Sequence, residues 1–179
     1  MEEQLKLDYK LIPELEETGS RRELEGVLPL GHFFKGYQLY KLKGGISYKI
    51  ELSNTGEGVL LTGRAHGSGS TECARCLDDA LFDVEGDVEG FFVLKPSNKD
   101  VVWSDDEFTA VPPDGIVDLK PPILAAIIYE LPQVILCKEE CAGMCQHCGI
   151  NFNTDTCNCI EEPELENPFA ILRGLMHQN

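Results

Sequence analysis

Hydrophobic and polar residues alternate along several stretches of the chain, and this period of two indicates strands with one buried face. The clearest stretch is residues 80–94, where Phe82 and Val84 occupy even positions. The odd positions carry four acidic residues: Asp83, Glu85, Asp87 and Glu89. Residues 5–11 and 46–52 repeat the alternation. We therefore expect an antiparallel sheet, because such a sheet can bury one face and expose the other to water.

Residues 121–131 follow a helical period instead. Ile123 and Ile127 fall on one apolar stripe with a spacing near 3.6 residues. Two prolines stand in the first turn, where a helix tolerates them, and Pro132 ends the pattern. This pattern predicts a helix that covers the sheet. A second, short helix is predicted after Asn167, which can serve as an N-cap.

Glycine, proline and charge mark the predicted breaks between these elements. Residues 14–26 are highly charged and poor in apolar side chains, which predicts an exposed loop or short helix. The pair Gly44-Gly45 predicts a turn, and the strand that begins at Val59 is expected to end at the Gly/Ser run 67–70. Residues 95–118 are rich in proline and acids and predict a long irregular connection.

Cysteine is concentrated near the carboxyl end, where six of the eight cysteines lie within residues 137–159. In Cys145-Gln-His-Cys148-Gly149 a tight turn can direct two sulfurs at one metal, and glycine tolerates the conformation that follows the second ligand. Cys157 and Cys159 supply another pair after an eight-residue excursion. Because structural zinc prefers four thiolates in a tetrahedron, we predict a zinc ribbon with Cys145, Cys148, Cys157 and Cys159 as ligands.

Four cysteines then lack an assignment: Cys73, Cys76, Cys137 and Cys141. They form either a second four-cysteine site that closes across the fold or a set of spare thiols beside a single site, and ligand spacing favours the single site. A disulfide scaffold is disfavoured, because nothing else indicates a secreted protein. A thioredoxin-like motif is disfavoured as well, because the residues after Cys76 alternate like a strand rather than opening a helix.

The predicted fold class is α+β, with an antiparallel β-sheet core covered by a helix, a C-terminal cysteine-rich zinc ribbon and a short terminal helix. The predicted boundaries place the β-rich core in residues 1–136, with its covering helix at 121–131. The zinc ribbon occupies 137–160, and an acidic linker with the terminal helix occupies 161–179. The longest apolar run is far shorter than a membrane span and the amino terminus is acidic, so we expect a soluble, cytoplasmic protein.

The charge of the chain is strongly negative and unevenly distributed. A net charge of −16 argues against a surface that binds nucleic acid throughout, because such affinity comes from Lys and Arg displacing counterions. Residues 31–50, however, hold four lysines and no acid, interleaved with aromatic residues. That composition is typical of surfaces that stack on bases and neutralise phosphates. The candidate RNA-binding residues are Lys35, Tyr37, Tyr40, Lys41, Lys43 and Lys49.

Strand propensity favours a competing interpretation, in which these aromatic residues belong to the core and the lysines only solvate the outside of a hairpin. The acidic residues at 83–89 occupy every second position in a line and do not converge on one point as a catalytic or calcium site would. This arrangement is typical of a solvated strand face. No Ser/His/Asp or Cys/His catalytic constellation is visible. We therefore expect a protein that is not an enzyme and has no small-molecule substrate.

Several motifs occur in a specific order between Ser70 and the carboxyl end. They are Cys73-Ala-Arg-Cys76-Leu77, Ile116-Val-Asp118-Leu119, Leu131-Pro132, Cys137, Cys141-Ala-Gly143-Met-Cys145-Gln-His-Cys148-Gly149-Ile-Asn151-Phe-Asn153 and Asn167-Pro168-Phe169-Ala170. Together they resemble the large ribosomal RNA subunit accumulation protein family, YceD. The resemblance implies a cytoplasmic protein needed for accumulation of large-subunit (23S) ribosomal RNA, with no enzymatic reaction, and the cysteine ribbon is similar to that of a zinc-bearing branch.

Two classes of function follow. In the first, the protein is a ribosome-biogenesis factor whose partner is a large-subunit ribosomal RNA precursor, bound through the basic and aromatic segment, or a basic ribosomal protein, bound through the acidic strand face. In the second, it is a zinc-stabilised adaptor for protein partners unrelated to the ribosome, because zinc ribbons serve many functions. Neither class involves a membrane.

Overall fold

The computed structural model describes residues 5–11, 15–94 and 109–159. These residues form a mixed α+β fold dominated by β-structure, with eight strands and one helix in the described ranges. The elements are β1 (Asp8–Lys10), β2 (Arg21–Leu28), β3 (His32–Lys35), β4 (Gln38–Asn54), β5 (Gly58–Glu72), β6 (Asp79–Val93), β7 (Thr109–Ala110), β8 (Ile116–Asp118) and α1 (Lys120–Glu130). The predicted terminal helix and acidic linker lie outside the described residues.

The main sheet is built on three long strands. Its order is β2-β4-β5-β6-β7, and β3 also pairs with β4. All neighbours are antiparallel except β6 and β7, which are parallel. Strands β1 and β8 form a separate two-stranded antiparallel sheet. The antiparallel pairing agrees with the alternation of the sequence, since most of the main sheet has one buried and one exposed face.

Strand β6 shows the two faces most clearly. Phe82, Val84 and Val88 are buried, whereas Asp83 and Glu85 between them are exposed. This alternation confirms the pattern predicted for residues 80–94. We call the side that carries the acidic residues of β6 the outer face of the sheet, and the opposite side the inner face.

Helix α1 lies on the inner face against β5 and β6. Its buried side chains are Ile123, Ala126 and Ile127, and prolines occupy its first turn as predicted. The backbone of α1 approaches β6 closely at Gly86, where an added Cβ would collide with the carbonyl group of Ala126. The absence of a side chain at Gly86 therefore brings helix and strand into direct contact.

Two predicted breaks are instead parts of strands. Residues 21–28 form β2 rather than a loop or helix, because Leu24 is partly buried and Leu28 is buried, while Glu23, Glu25 and Val27 at the alternate positions are exposed. The Gly/Ser run 67–70 continues β5, where a Cβ at Gly69 would collide with the carbonyl of Lys41 in the neighbouring strand. Small residues at these positions permit close strand packing rather than ending the strand.

The prediction of a turn at Gly44-Gly45 is also wrong, because these two residues form a β-bulge inside the continuous strand β4. The register between β4 and β5 shifts between Leu42 and Ile46. Gly44 and Gly45 have φ values of 85° and 86°, in the left-handed region that favours glycine. Such a bulge locally disrupts the pairing of β4 with β5 and bends the strand.

Candidate metal centres and the surface around them

The eight cysteines assemble into two groups of four. In each group the four sulfur atoms all lie within 4.8 Å of one another. The first group is Cys73, Cys76, Cys137 and Cys141, which we call the buried centre. The second is Cys145, Cys148, Cys157 and Cys159, which we call the ribbon centre. The structure thus brings together the four predicted ribbon ligands. It also brings together the other four cysteines, although ligand spacing in the sequence favours a single site.

The buried centre joins distant parts of the chain. Cys73 and Cys76 lie in the turn between β5 and β6, and Cys137 and Cys141 follow α1. The Sγ atoms of Cys73 and Cys141 are 3.8 Å apart, and those of Cys76 and Cys137 are 3.5 Å apart. Cys73 is fully buried and belongs to the hydrophobic core. This centre is therefore continuous with the core of the sheet.

The ribbon centre is local and more open to solvent. The Sγ atom of Cys157 lies 3.4 Å from that of Cys145 and 3.5 Å from that of Cys148. Cys145 is buried, whereas Cys148 and Cys159 are exposed. Between the two pairs the chain folds back on itself, with a bridge that pairs Met144 and Asn151. The predicted excursion between the ligand pairs thus forms a compact turn.

The sulfur spacing in both centres suits a tetrahedral metal ion. Four sulfurs at about 2.3 Å from a zinc ion would be separated by about 3.8 Å, the edge length of the tetrahedron. The observed separations of 3.4 to 3.8 Å are close to that value. A disulfide would require about 2.05 Å. Either cluster can therefore hold a metal ion with protein ligands alone.

The two centres share one backbone motif, which explains why their first ligand pairs converge. In the ribbon centre, Gly149 N–H donates to the carbonyl of Cys145 at 2.9 Å, and Cys145 N–H donates to Ile150. In the buried centre, Leu77 N–H donates to the carbonyl of Cys73 at 3.0 Å, and Cys73 N–H donates to Asp78. The motif at Cys73 is thus a second metal knuckle, with leucine in the position that glycine occupies at 149.

Leu77 has a left-handed backbone, with φ of 63°, and its side chain is 57% exposed. We expect Leu77→Gly to increase the free energy of unfolding by about 1 kcal/mol, because it removes the cost of a left-handed non-glycine residue while losing little packing. Leu77→Ala is the control, since it removes the same side chain but keeps the Cβ. Urea denaturation of the metal-loaded proteins measures both. A less stable Leu77→Gly variant would contradict this view of the knuckle.

Backbone donors favour the thiolate form of the first cysteine in each knuckle. Burial opposes ionisation of Cys73, but N–H donors such as that of Arg75 overcome it and lower the pKa of Cys73 to about 6. The backbone N–H groups of Cys148 and His147 likewise lower the pKa of Cys145 to about 6. Since the thiolate is the metal ligand, both knuckles are arranged for metal binding.

Two asparagines of the ribbon link it to the buried centre. Asn153 Nδ2 donates to the sulfur of Cys141 at 3.3 Å, and its Oδ1 accepts from the backbone N–H of Ala142 at 3.0 Å. Asn151 Nδ2 donates to Asp78 at the end of the knuckle that begins at Cys73. Outer hydrogen bonds of this kind orient metal ligands. Sequence reasoning placed both residues in a motif but assigned neither a role.

The candidate RNA-binding residues divide between the two faces of the sheet. The prediction that Tyr40 binds RNA is wrong. Tyr40 is buried on the inner face and stacks on Phe33 with ring centroids 5.1 Å apart, so it cannot stack on a base. Lys35 donates to the backbone carbonyl of Ile128 in α1. Tyr37 is fully exposed in the β3–β4 turn. The remaining three, Lys41, Lys43 and Lys49, are exposed on β4.

Most of the acidic row on β6 has basic neighbours on β5. Arg64 contacts Glu85 at 3.1 Å and Asp87 at 3.5 Å. His66 Nε2 lies 2.8 Å from Asp83 Oδ1. These exposed pairs contribute little to stability, but Arg64 neutralises part of the row that the sequence presented as a uniformly acidic surface.

The fold and the two centres define a sheet-dominated α+β protein with two four-cysteine clusters that can each hold a metal ion. A family model described as "Large ribosomal RNA subunit accumulation protein YceD" matches residues 61–176. The chain belongs to this family, which confirms the resemblance seen in its motifs. In the ranges that the structure describes, no helix is sufficiently long and apolar to cross a membrane.

Similar proteins come from mycobacteria. The chain is 32% identical over 117 residues to uncharacterized proteins of Mycobacterium bovis and Mycobacterium tuberculosis, a match that covers 64% of this chain and 56% of theirs. An uncharacterized protein of Mycobacterium leprae is 29% identical over 119 residues, covering 65% of this chain and 54% of its own length. The chain thus spans about half the length of the curated relatives it matches. No solved structure matches it.

Proposed function

We propose that this protein is a non-enzymatic, cytoplasmic ribosome-biogenesis factor that supports accumulation of large-subunit (23S) ribosomal RNA. The observation that supports this proposal is the family match over residues 61–176, which includes both knuckles and all eight cysteines. Its partner is the large-subunit precursor particle. The description of the family names accumulation of large-subunit ribosomal RNA as the process.

Zinc is the metal that we assign to both centres. Four thiolates at tetrahedral spacing are typical of structural zinc sites, whereas catalytic zinc sites have three protein ligands and keep a position open for water or substrate. Each centre has four cysteine ligands of its own, so neither leaves such a position. Bound zinc would cross-link the chain, and the residues around it would present surfaces to the ribosomal precursor. This donor set supports a binding protein rather than an enzyme.

Depletion of the protein in its native cell tests the proposal. We expect the ratio of mature large-subunit RNA to small-subunit RNA to fall and to recover when the wild-type gene is restored. In sucrose gradients of cell extract, the tagged protein should migrate with large-subunit precursors. An unchanged RNA ratio, with the protein sedimenting in complexes free of ribosomal RNA, would instead favour an adaptor for unrelated protein partners.

A further inference from the structure

A cleft of about 550 Å³ opens on the outer face beside the bulge of β4. Its lining includes Lys41 and Lys43 from β4 and Ser68 and Ser70 from β5. Resting on the proposed ribosomal function, we propose that this cleft and the adjacent aromatic side chain of Phe34 bind single-stranded RNA. The lysines and serines hold backbone phosphate, and Phe34 stacks on an unpaired base.

The phosphate half of this site depends on two exposed lysines of β4. Lys41 and Lys43 are exposed, and neither forms an ion pair with any residue in the described ranges. Arg21 and Arg64, on the same face, are both paired with glutamates. The left-handed residues Gly44 and Gly45 form the β-bulge next to Lys43. The position of Lys43 therefore depends on this bulge.

The base-stacking half lies on the neighbouring strand. His32 of β3 is directly opposite Lys41 of β4, and Phe34 follows two positions later, so its side chain points to the same outer face. Phe34 is 57% exposed, and its ring meets that of His32 edge-on at a centroid distance of 6.1 Å. An exposed aromatic ring near exposed lysines is the combination that single-stranded nucleic acid requires.

Charge selects RNA over a basic protein as the occupant. Residues 31–50 contain no acid. Asp83 also lines the cleft, but its carboxylate lies 2.8 Å from Nε2 of His66 on β5. The rest of the acidic row is largely occupied by Arg64. Lys41 and Lys43 therefore give the cleft a locally positive lining, which a polyanion can approach despite the negative net charge.

The geometry also selects single strands over duplex. A ring such as Phe34 can stack only on a base that has been freed from pairing, because the bases of an RNA helix are stacked on one another. Loops and unpaired ends of a ribosomal RNA precursor present such bases. A duplex would offer the cleft its phosphates but nothing to Phe34.

Fluorescence anisotropy with the full-length, zinc-loaded protein tests the phosphate contacts, using a labelled unstructured 12-nucleotide RNA. We expect Lys41→Ala with Lys43→Ala to weaken binding and to reduce the slope of log affinity against log salt by about 1.4, since each phosphate contact on a single strand contributes about 0.7. The control is Lys6→Ala with Lys10→Ala, which removes equal charge from exposed lysines near the separate two-stranded sheet. It should leave the slope unchanged.

Phe34 is tested with the same RNA. Phe34→Ala should weaken binding about 5- to 150-fold, the range for loss of one base–aromatic stack, without changing the salt slope. Phe34→Tyr should retain most of the affinity because it keeps the ring. Tyr129→Ala is the matched control, since Tyr129 is 86% exposed on α1, which packs on the other side of the sheet.

The results expected are loss of affinity in the cleft variants, no loss in the controls, and weaker binding of the blunt duplex made by annealing the same RNA to its complement. The site is overturned if wild type fails to bind the single strand, if the duplex binds equally well, or if cleft and control variants behave alike. Those failures leave the proposed function intact where the protein still migrates with large-subunit precursors. A charge reversal of Asp83 and Glu85 that abolishes this migration would then identify a basic protein as the partner.

Discussion

The purified protein is expected to contain two zinc ions, and Cys73→Ser should reduce this to one and lower the free energy of unfolding by more than about 4 kcal/mol. Cys73 is fully buried and in the hydrophobic core, and its centre connects the β5–β6 turn to the segment after α1. Loss of its metal would leave buried thiols without a partner and release that connection. Elemental analysis and urea denaturation under reducing conditions measure the two effects.

Cys145→Ser is the matched control for this experiment. It should also remove one zinc ion, but the loss of structure should remain within residues 137–159, because the ribbon centre draws all its ligands from 145 to 159. Amide hydrogen exchange distinguishes a local from a global change. If the wild-type protein holds one zinc ion and Cys73→Ser does not change that number, the buried centre does not bind zinc. The interpretation with a single metal site would then be correct.

The second large effect is expected at the contact between helix and sheet. Gly86→Ala should destabilise the protein by about 3 kcal/mol, because the new Cβ would collide with the backbone carbonyl of Ala126 and push α1 away from β6. A backbone carbonyl cannot move aside as a flexible side chain can. The shift in the urea midpoint, at constant slope, measures the cost.

Gly90→Ala provides the comparison within the same strand. A Cβ at Gly90 would be 3.5 Å from Leu61 and 3.6 Å from Pro122, which is ordinary van der Waals contact. We expect this variant to be unchanged or slightly more stable, because alanine restricts the unfolded chain more than glycine does. Equal destabilisation of the two variants would show that strand glycines matter here for a reason other than the approach of α1.

Much of the fold follows from patterns that are local in sequence. The alternation at 80–94 predicts β6 and its two faces, because a strand with one solvated side needs that period. The alternation of side chains along a strand also explains why Tyr40 does not belong to the predicted RNA-binding surface. Tyr40 and Lys41 are adjacent in one strand, so they face opposite sides of the sheet and cannot belong to one binding surface. Strand pairing places His32 opposite Lys41 and Phe34 two positions further along on the same face, which the alternation alone does not reveal.

The buried centre illustrates what sequence spacing could not determine. Its ligands Cys73 and Cys141 are 68 positions apart, and their convergence depends on the registration of β5 with β6 and on where α1 ends. Leu77 also conceals the knuckle, because glycine is the residue expected at its left-handed position. The signal that was available is the shared Cys-x2-Cys spacing of residues 73–76 and 145–148.

The long sequence separation between the ligands of the buried centre also implies that the two centres form at different stages of folding. Closing a chain loop of 68 positions rather than the 14 between Cys145 and Cys159 costs about 1.4 kcal/mol more in entropy if the intervening chain is flexible. The ribbon centre can close as soon as its own short segment exists. The buried centre closes at low cost only after the hairpin of β5 and β6 has formed and α1 has docked on it. Occupancy of the buried centre therefore marks a chain whose sheet and helix are already in place.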